Sequence, residues 1–139
     1  MAKIYATVTL RNGEDVLGLR KKEINEAQVR KLEVQMLVDS ESIMMAINED
    51  IKSELGLQSC DKDYFLLANG ETTEMEITEP IEVRFENRRA MVQAFVLPGN
   101  SEPLLGDITM SRMDVQIDNQ SKSLIVNPLH PIRPQFSMK

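Results

Sequence analysis

Over Lys3–Leu10 the residues Ile4, Ala6, Val8 and Leu10 alternate with Tyr5, Thr7 and Thr9. A period of two puts the two sets on opposite faces of an extended chain, so this segment is predicted to be a strand with one buried face. The signal returns in short bursts: Glu33–Val38, Tyr64–Ala68, Thr72–Ile77, Ile81–Phe85, Ala90–Leu97, Val115–Ile117 and Ser123–Val126. Turn-forming residues separate the bursts. Asn12-Gly13 ends the first, and Asn69-Gly70 is predicted to be a primed two-residue hairpin turn. Glu79-Pro80, Glu86–Arg89 and Asp118–Lys122 break the others.

Helical signals are few. Ile47–Gly56 is predicted to be a helix with Asn48 as N-cap, Glu49 and Asp50 at its positive end, and Gly56 in the left-handed position after it. Asp107, a typical cap, opens a shorter helix to Met113. Gly13–Arg30 is polar and reads as an excursion between strands, with one helical turn near Ala27–Leu32. Strands that do not alternate with helices predict an all-β class, a small barrel or sandwich with one or two short helices. One domain is expected over residues 1–127, followed by a Pro-rich C-terminal tail, 128–139, expected to be an extended arm that does not pack.

With 139 residues the chain can bury a core without staples. A net charge of -6 with scattered basic residues argues against nucleic acid or an anionic membrane as partner, since phosphate binding needs a basic stripe. Cys60 and His130 each stand alone, which disfavours a disulfide framework, a metal site or a Ser–His triad; no metal or cofactor is expected. No apolar leader or long apolar run is seen, so the expected compartment is the cytoplasm. The nine Met residues read as core and interface filler.

The chemistry concentrates in Leu37-Val38-Asp39-Ser40-Glu41-Ser42, where an apolar strand delivers a carboxylate and then a hydroxyl into a turn. Downstream come the Asn69-Gly70 hairpin and then Leu104-Leu105-Gly106 leading into a short helix. In that order the three features resemble the retropepsin-like (retroviral-type) aspartic peptidases, most nearly their small microbial branch: a catalytic loop of two hydrophobics, Asp, Thr or Ser, Gly and a small residue, then a flap hairpin, then a hydrophobic-hydrophobic-Gly motif. The resemblance covers about Lys3–Pro128; each motif alone is common.

The resemblance implies a retropepsin-like closed β-barrel, the acid protease fold, with one lobe per chain. It implies an aspartic endopeptidase acting on a peptide or protein substrate as a homodimer. Asp39 of each subunit would supply one catalytic carboxylate, Ser40 would lock the two loops together, and the flap at Asn69 and Gly70 would cover substrate. Leu104, Leu105 and Gly106 would be structural. Two carboxylates around one water cannot both ionise, which splits them into a base and an acid.

Glu41 departs from the motif, standing where the family has Gly. A side chain there meets two obstacles: backbone angles that only Gly takes cheaply, and a second pair of carboxylates crowding the dyad. Three readings remain open: an active peptidase, a catalytically inactive binding or dimerisation module, and a β-barrel without peptidase ancestry, which would be monomeric with Asp39 exposed on a loop.

Overall fold

The computed structural model describes residues 3–138. The chain is mostly strand. In order it forms β1 (Tyr5–Asn12), α1 (Gly13–Arg20), a 3-10 turn (Glu26–Gln28), β2 (Lys31–Val38), β3 (Met45–Asn48) and α2 (Glu49–Glu54). Then come β4 (Ser59–Leu66), β5 (Thr72–Thr78), β6 (Ile81–Phe85), β7 (Arg88–Val92), β8 (Ala94–Leu97), β9 (Leu104–Leu105), α3 (Asp107–Met113), β10 (Val115–Asp118) and β11 (Ser123–Val126).

Among the described residues nine strands make one sheet in the order β4-β5-β8-β3-β9-β2-β1-β6-β7, and β10 and β11 form a separate hairpin. The linkers require this sheet to curl. Gln93 alone joins β7, at one end of the order, to β8, third from the other end. One residue spans only about 3.5 Å, so the two regions meet at that corner. Glu79 and Pro80 join β5 to β6 under the same constraint. The result is a curled half-barrel, an all-β architecture with a few short helices.

The inner face of the curl is the core. Val8, Leu10, Met36, Met45, Ile47, Leu55, Ile81, Val83, Leu105 and Met113 are each at most 1% exposed. The alternation in β1 is realised: Ala6, Val8 and Leu10 are buried while Tyr5 and Thr7 face outward. On β1 and β6 the directly paired Arg11 and Glu82 are both buried. Arg11 Nε lies 2.7 Å and Arg84 Nε 2.6 Å from one Glu82 oxygen. Burial pushes the Glu82 carboxyl up, but these two guanidinium groups outweigh it and hold it below the ordinary carboxylate range.

The structure corrects several local expectations. Gly13–Arg20 is a helix, not part of an irregular excursion: Asn12 does not break the chain but caps α1, its side chain accepting from the Asp15 amide at 3.1 Å. The helical turn lies at Glu26–Gln28, just ahead of the expected position. Met45–Asn48 is a central strand, buried at all four residues and parallel to β8; burial on both faces removes the alternation that would have revealed it. Ala90–Leu97 is two strands, split at the exposed corner Gln93. The Asn48 cap on α2 and the positive φ of Gly56 (62°) are as predicted. Residues 128–138 hold no helix or strand, yet they are tied to the domain, as Asn87 Nδ2 donates to the carbonyls of Pro131 and Ile132, both at 2.9 Å.

Candidate active site

β2 carries Leu37 and Val38 to the end of the sheet and presents Asp39 just beyond it. There β2 runs parallel to β9, with Leu37 beside Leu104 and Val38 beside Leu105. The Leu37 amide donates to the Pro103 carbonyl at 2.9 Å and the Asp39 amide to the Leu105 carbonyl at 3.1 Å. Leu104 and Leu105 thus fix where the strand stops and the loop starts.

The loop then folds on itself. Asp39 Oδ1 accepts from the Glu41 amide at 3.0 Å and the Asp39 carbonyl accepts from the Ser42 amide at 3.2 Å. An Asp side chain bonded to the amide two residues on is a local turn device that needs no glycine. Ser42 Oγ donates to the Met44 carbonyl at 2.9 Å. The far side of the loop is pinned to α3: the Asp107 amide donates to Ser42 O at 2.7 Å and the Ile108 amide to Ile43 O at 3.0 Å.

Gly106 makes this docking fit. A Cβ there would fall against the Met44 carbonyl group and 2.8 Å from the Ser42 carbonyl oxygen. Its φ of −89° is one any residue adopts, so the requirement is for space rather than for unusual angles. Gly106, not Asp107, is the N-cap of α3; no side chain caps it, and Asp107 is the first helical residue.

Asp39 is half-buried, and Ser40 and Glu41 are exposed. Among the described residues the Ser40 hydroxyl makes no hydrogen bond. Glu41 is not among the residues with positive φ. The first obstacle expected at this position, a glycine-only backbone, is therefore absent: the loop closes through the Asp39 side chain, and the Glu41 carboxylate reaches solvent.

Asn69 and Gly70 top the β4–β5 hairpin. The turn has three residues rather than two. Leu67 and Glu71 pair across it at 2.8 Å, only Gly70 has positive φ (87°), and its amide returns to Leu67 O at 3.0 Å. That is a turn followed by a left-handed Gly bulge, in place of the primed turn predicted from Asn-Gly. Asn69 Oδ1 accepts from the Glu71 amide at 2.9 Å. The hairpin joins the sheet at the Ile77–Phe95 pairing, where the Phe65 and Phe95 ring centroids lie 3.8 Å apart. Most of β4 is exposed, including Tyr64 and Leu66, as suits a projecting arm. No hydrogen bond joins Asn69 or Gly70 to the Asp39 loop among the described residues.

Sequence reading missed a second polar centre. At its centre is Asp114. It ends α3 with φ 54°, a conformation Asp tolerates better than most residues, and its side chain is largely covered. It accepts from Asn127 Nδ2 at 3.0 Å and the Gln135 amide at 3.1 Å, and meets His130 Nδ1 at 2.7 Å. Burial pushes its carboxyl up; Asn127, the Gln135 amide and His130 outweigh that and hold it below the usual range. The fully buried Arg88 lies alongside at 3.7 Å and donates to the His130 carbonyl. Among the described residues no three His, Cys, Asp or Glu side chains gather as a metal site, and no helix is long and apolar enough to cross a membrane.

No family model matches this sequence, and no curated protein matches it. Among solved structures, the chain is similar to the crystal structure of the retroviral protease-like domain of Ddi1 from Leishmania major. The match has a TM-score of 0.58 and 13% identity, and covers 92% of this chain and 90% of that one. Identity this low speaks to architecture alone, and on that evidence the chain has a retropepsin-like fold.

Proposed function

We propose that the chain is one half of an aspartic-type endopeptidase, the other half being a second copy related by a two-fold axis. The observation that carries this reading is the placement of Asp39. In a retropepsin-like fold it stands on a loop wedged between the end of β9 and the start of α3, with its neighbour Ser40 open to solvent.

Two Asp39 carboxylates facing each other would share one proton, because like charges at such range cannot both ionise. The ionised partner takes a proton from a water held between them, and the oxygen of that water attacks the peptide carbonyl carbon. The protonated partner gives its proton to the carbonyl oxygen. Collapse of the tetrahedral species breaks the C–N bond, with a proton delivered to the leaving amine. The β4–β5 hairpin would lie over the substrate and exclude water.

A second reading is favoured by Glu41. Its carboxylate stands two residues from Asp39 on the same exposed loop. In a dimer two such groups would raise the cost of ionising the pair, leaving a fold that binds peptide or dimerises without hydrolysis. A peptide-library digest at acidic and neutral pH, with a pepstatin-type inhibitor, separates the two. Cleavage by the wild type that is lost in Asp39→Asn supports the peptidase. Cleavage only in Glu41→Gly supports the inactive module. No cleavage by either, with a monomer in sedimentation at tens of micromolar, about where ordinary weak dimers form, removes both.

A further inference from the structure

The basic residues are scattered along the sequence, but the sheet gathers several of them on one face. Residues directly opposite each other across paired strands share a face. Arg11 on β1 stands opposite Glu82 on β6. Beside them, Arg84 on β6 lies between Thr9 on β1 and Arg89 on β7, and both arginines are exposed. Like charges in direct cross-strand register repel and destabilise the pairing.

Arg84 is held in place from below. Its Nε and that of Arg11 meet one oxygen of Glu82 at 2.6 Å and 2.7 Å, and the Glu82 side chain is only 3% exposed. Arg11 also reaches Glu26 at 3.0 Å. Glu82 therefore already faces two guanidinium groups. Among the described residues the Nη groups of Arg84 have no acceptor, and neither Arg20 nor Arg89 has an ion-pair partner.

Arg89 is shared by two recesses. The smaller, about 180 Å³, is lined by Arg89, by Arg20 at the end of α1, and by Glu82. The larger, about 420 Å³, is lined by Arg84 and Arg89 and bordered by Arg88 and Glu86. The Arg88 side chain is fully buried, and its Nη1 has no hydrogen-bond partner among the described residues. A buried guanidinium adds to the positive potential of the recess it borders, because its surroundings screen it little. Glu86 is the opposing acid on the rim, and among the described residues no ion pair joins it to Arg84 or Arg89.

We infer that Arg84, Arg89 and Arg20 form a binding site for a single phosphate group. A carboxylate has two oxygens, which one guanidinium fork satisfies. Three guanidinium groups on adjoining recesses call for more charge and more acceptors. A phosphate monoester brings three acceptor oxygens and a charge of about −1.5 to −2. Bound there, it turns the cross-strand repulsion of Arg84 and Arg89 into attraction through the ligand. The patch is small and the chain as a whole carries -6, so it suits an isolated phosphate and not a nucleic-acid backbone, which needs a basic stripe. No residue of the Asp39 loop lines either recess, so the inference is independent of the peptidase reading.

The test titrates the full chain at neutral pH and constant ionic strength with inorganic phosphate, O-phosphoserine and a phosphoserine peptide. Calorimetry and the backbone amide resonances follow binding. Saturable shifts centred on Arg20, Arg84 and Arg89 are expected. Arg89→Gln should weaken binding about tenfold, the loss of one charge-assisted contact. Lys62→Gln, which removes the same charge from exposed β4, should leave it unchanged. Arg89 is exposed, and an unchanged Tm of its variant confirms that the fold persists. Equal affinity for phosphoserine and the peptide assigns a free or small phosphate ester, and tighter binding of the peptide assigns a phosphorylated chain. Shifts that never saturate, or equal binding by Arg89→Gln, would overturn the site. Glutamate binding as tightly as phosphate, or tighter Arg89-dependent binding of single-stranded DNA, would overturn the choice of an isolated phosphate.

Discussion

Gly106→Ala adds one methyl group where the structure has no room for it. The added carbon would meet the Met44 carbonyl group and lie 2.8 Å from Ser42 O. These are backbone atoms, so no side-chain rotation relieves the contact. Overpacking of this kind costs about 1–3 kcal/mol. Pushing the loop away also weakens the bonds from the Asp107 and Ile108 amides to Ser42 O and Ile43 O, each contributing about 1 kcal/mol. Replacing Gly stiffens the unfolded chain and returns about 0.4–1 kcal/mol. The net loss is about 2–4 kcal/mol, roughly 8–16 °C in Tm at about 4 °C per kcal/mol for a domain of this size. Gly18→Ala is the control. Gly18 lies within α1, and a Cβ there meets nothing nearer than Ile24 Cγ1 at 3.5 Å. That variant is expected to gain up to about 1 kcal/mol from helix propensity. Thermal melts and urea titrations of both variants at neutral pH measure the difference. The reasoning is refuted if Gly106→Ala lies within about 0.5 kcal/mol of wild type, the range of an ordinary surface change.

Two further outcomes are expected. Asn12→Ala removes the α1 cap and the bond from Asn12 Nδ2 to Leu55 O at 2.8 Å; a loss of about 2 kcal/mol is expected, with faster amide exchange in α1, and unchanged exchange there would count against the cap. Asp114→Asn tests linkage. The Asp114 carboxyl is held below its ordinary range, so its contribution is complete above the unfolded carboxyl's pKa of about 3.9 and fades as pH falls through the lower folded value. Urea unfolding should therefore show a gap between wild type and variant that is full at about pH 5 and narrows below about 4, and a gap that widens as pH falls through that carboxylate range would contradict the assignment.

What was legible in the sequence was whatever depends on neighbours along the chain. The two-residue period of β1 named Ala6, Val8 and Leu10 as inward-facing, because successive side chains of a strand must point to opposite faces. Asn48 announced itself as a cap because it acts within its own turn. The order of the Asp39 loop, the hairpin and Leu104-Leu105-Gly106 carried the architecture. Signals shared by two local structures were misread. Asn12-Gly13 serves equally as a break and as a helix start, and α1 buries only Gly13 and Val16, too little for an amphipathic stripe.

The tertiary structure decided whatever depends on distant segments meeting. β3 is a strand because β8 and β9 lie on either side of it, and burial on both faces erases its periodicity. Glu41 is tolerated in the single chain because the Asp39 side chain closes the turn and the position opens to solvent. The size limit at Gly106 comes from Ser42 and Met44, more than sixty residues earlier in the chain. Asp114 became the centre of a polar cluster when the fold returned Asn127, His130 and Gln135 to it. By itself the sequence determined the class of fold and the strand end where Asp39 stands, since alternation and turn chemistry are local. The surroundings of Asp39, Glu41 and Asp114 followed from long-range packing, which no periodicity encodes.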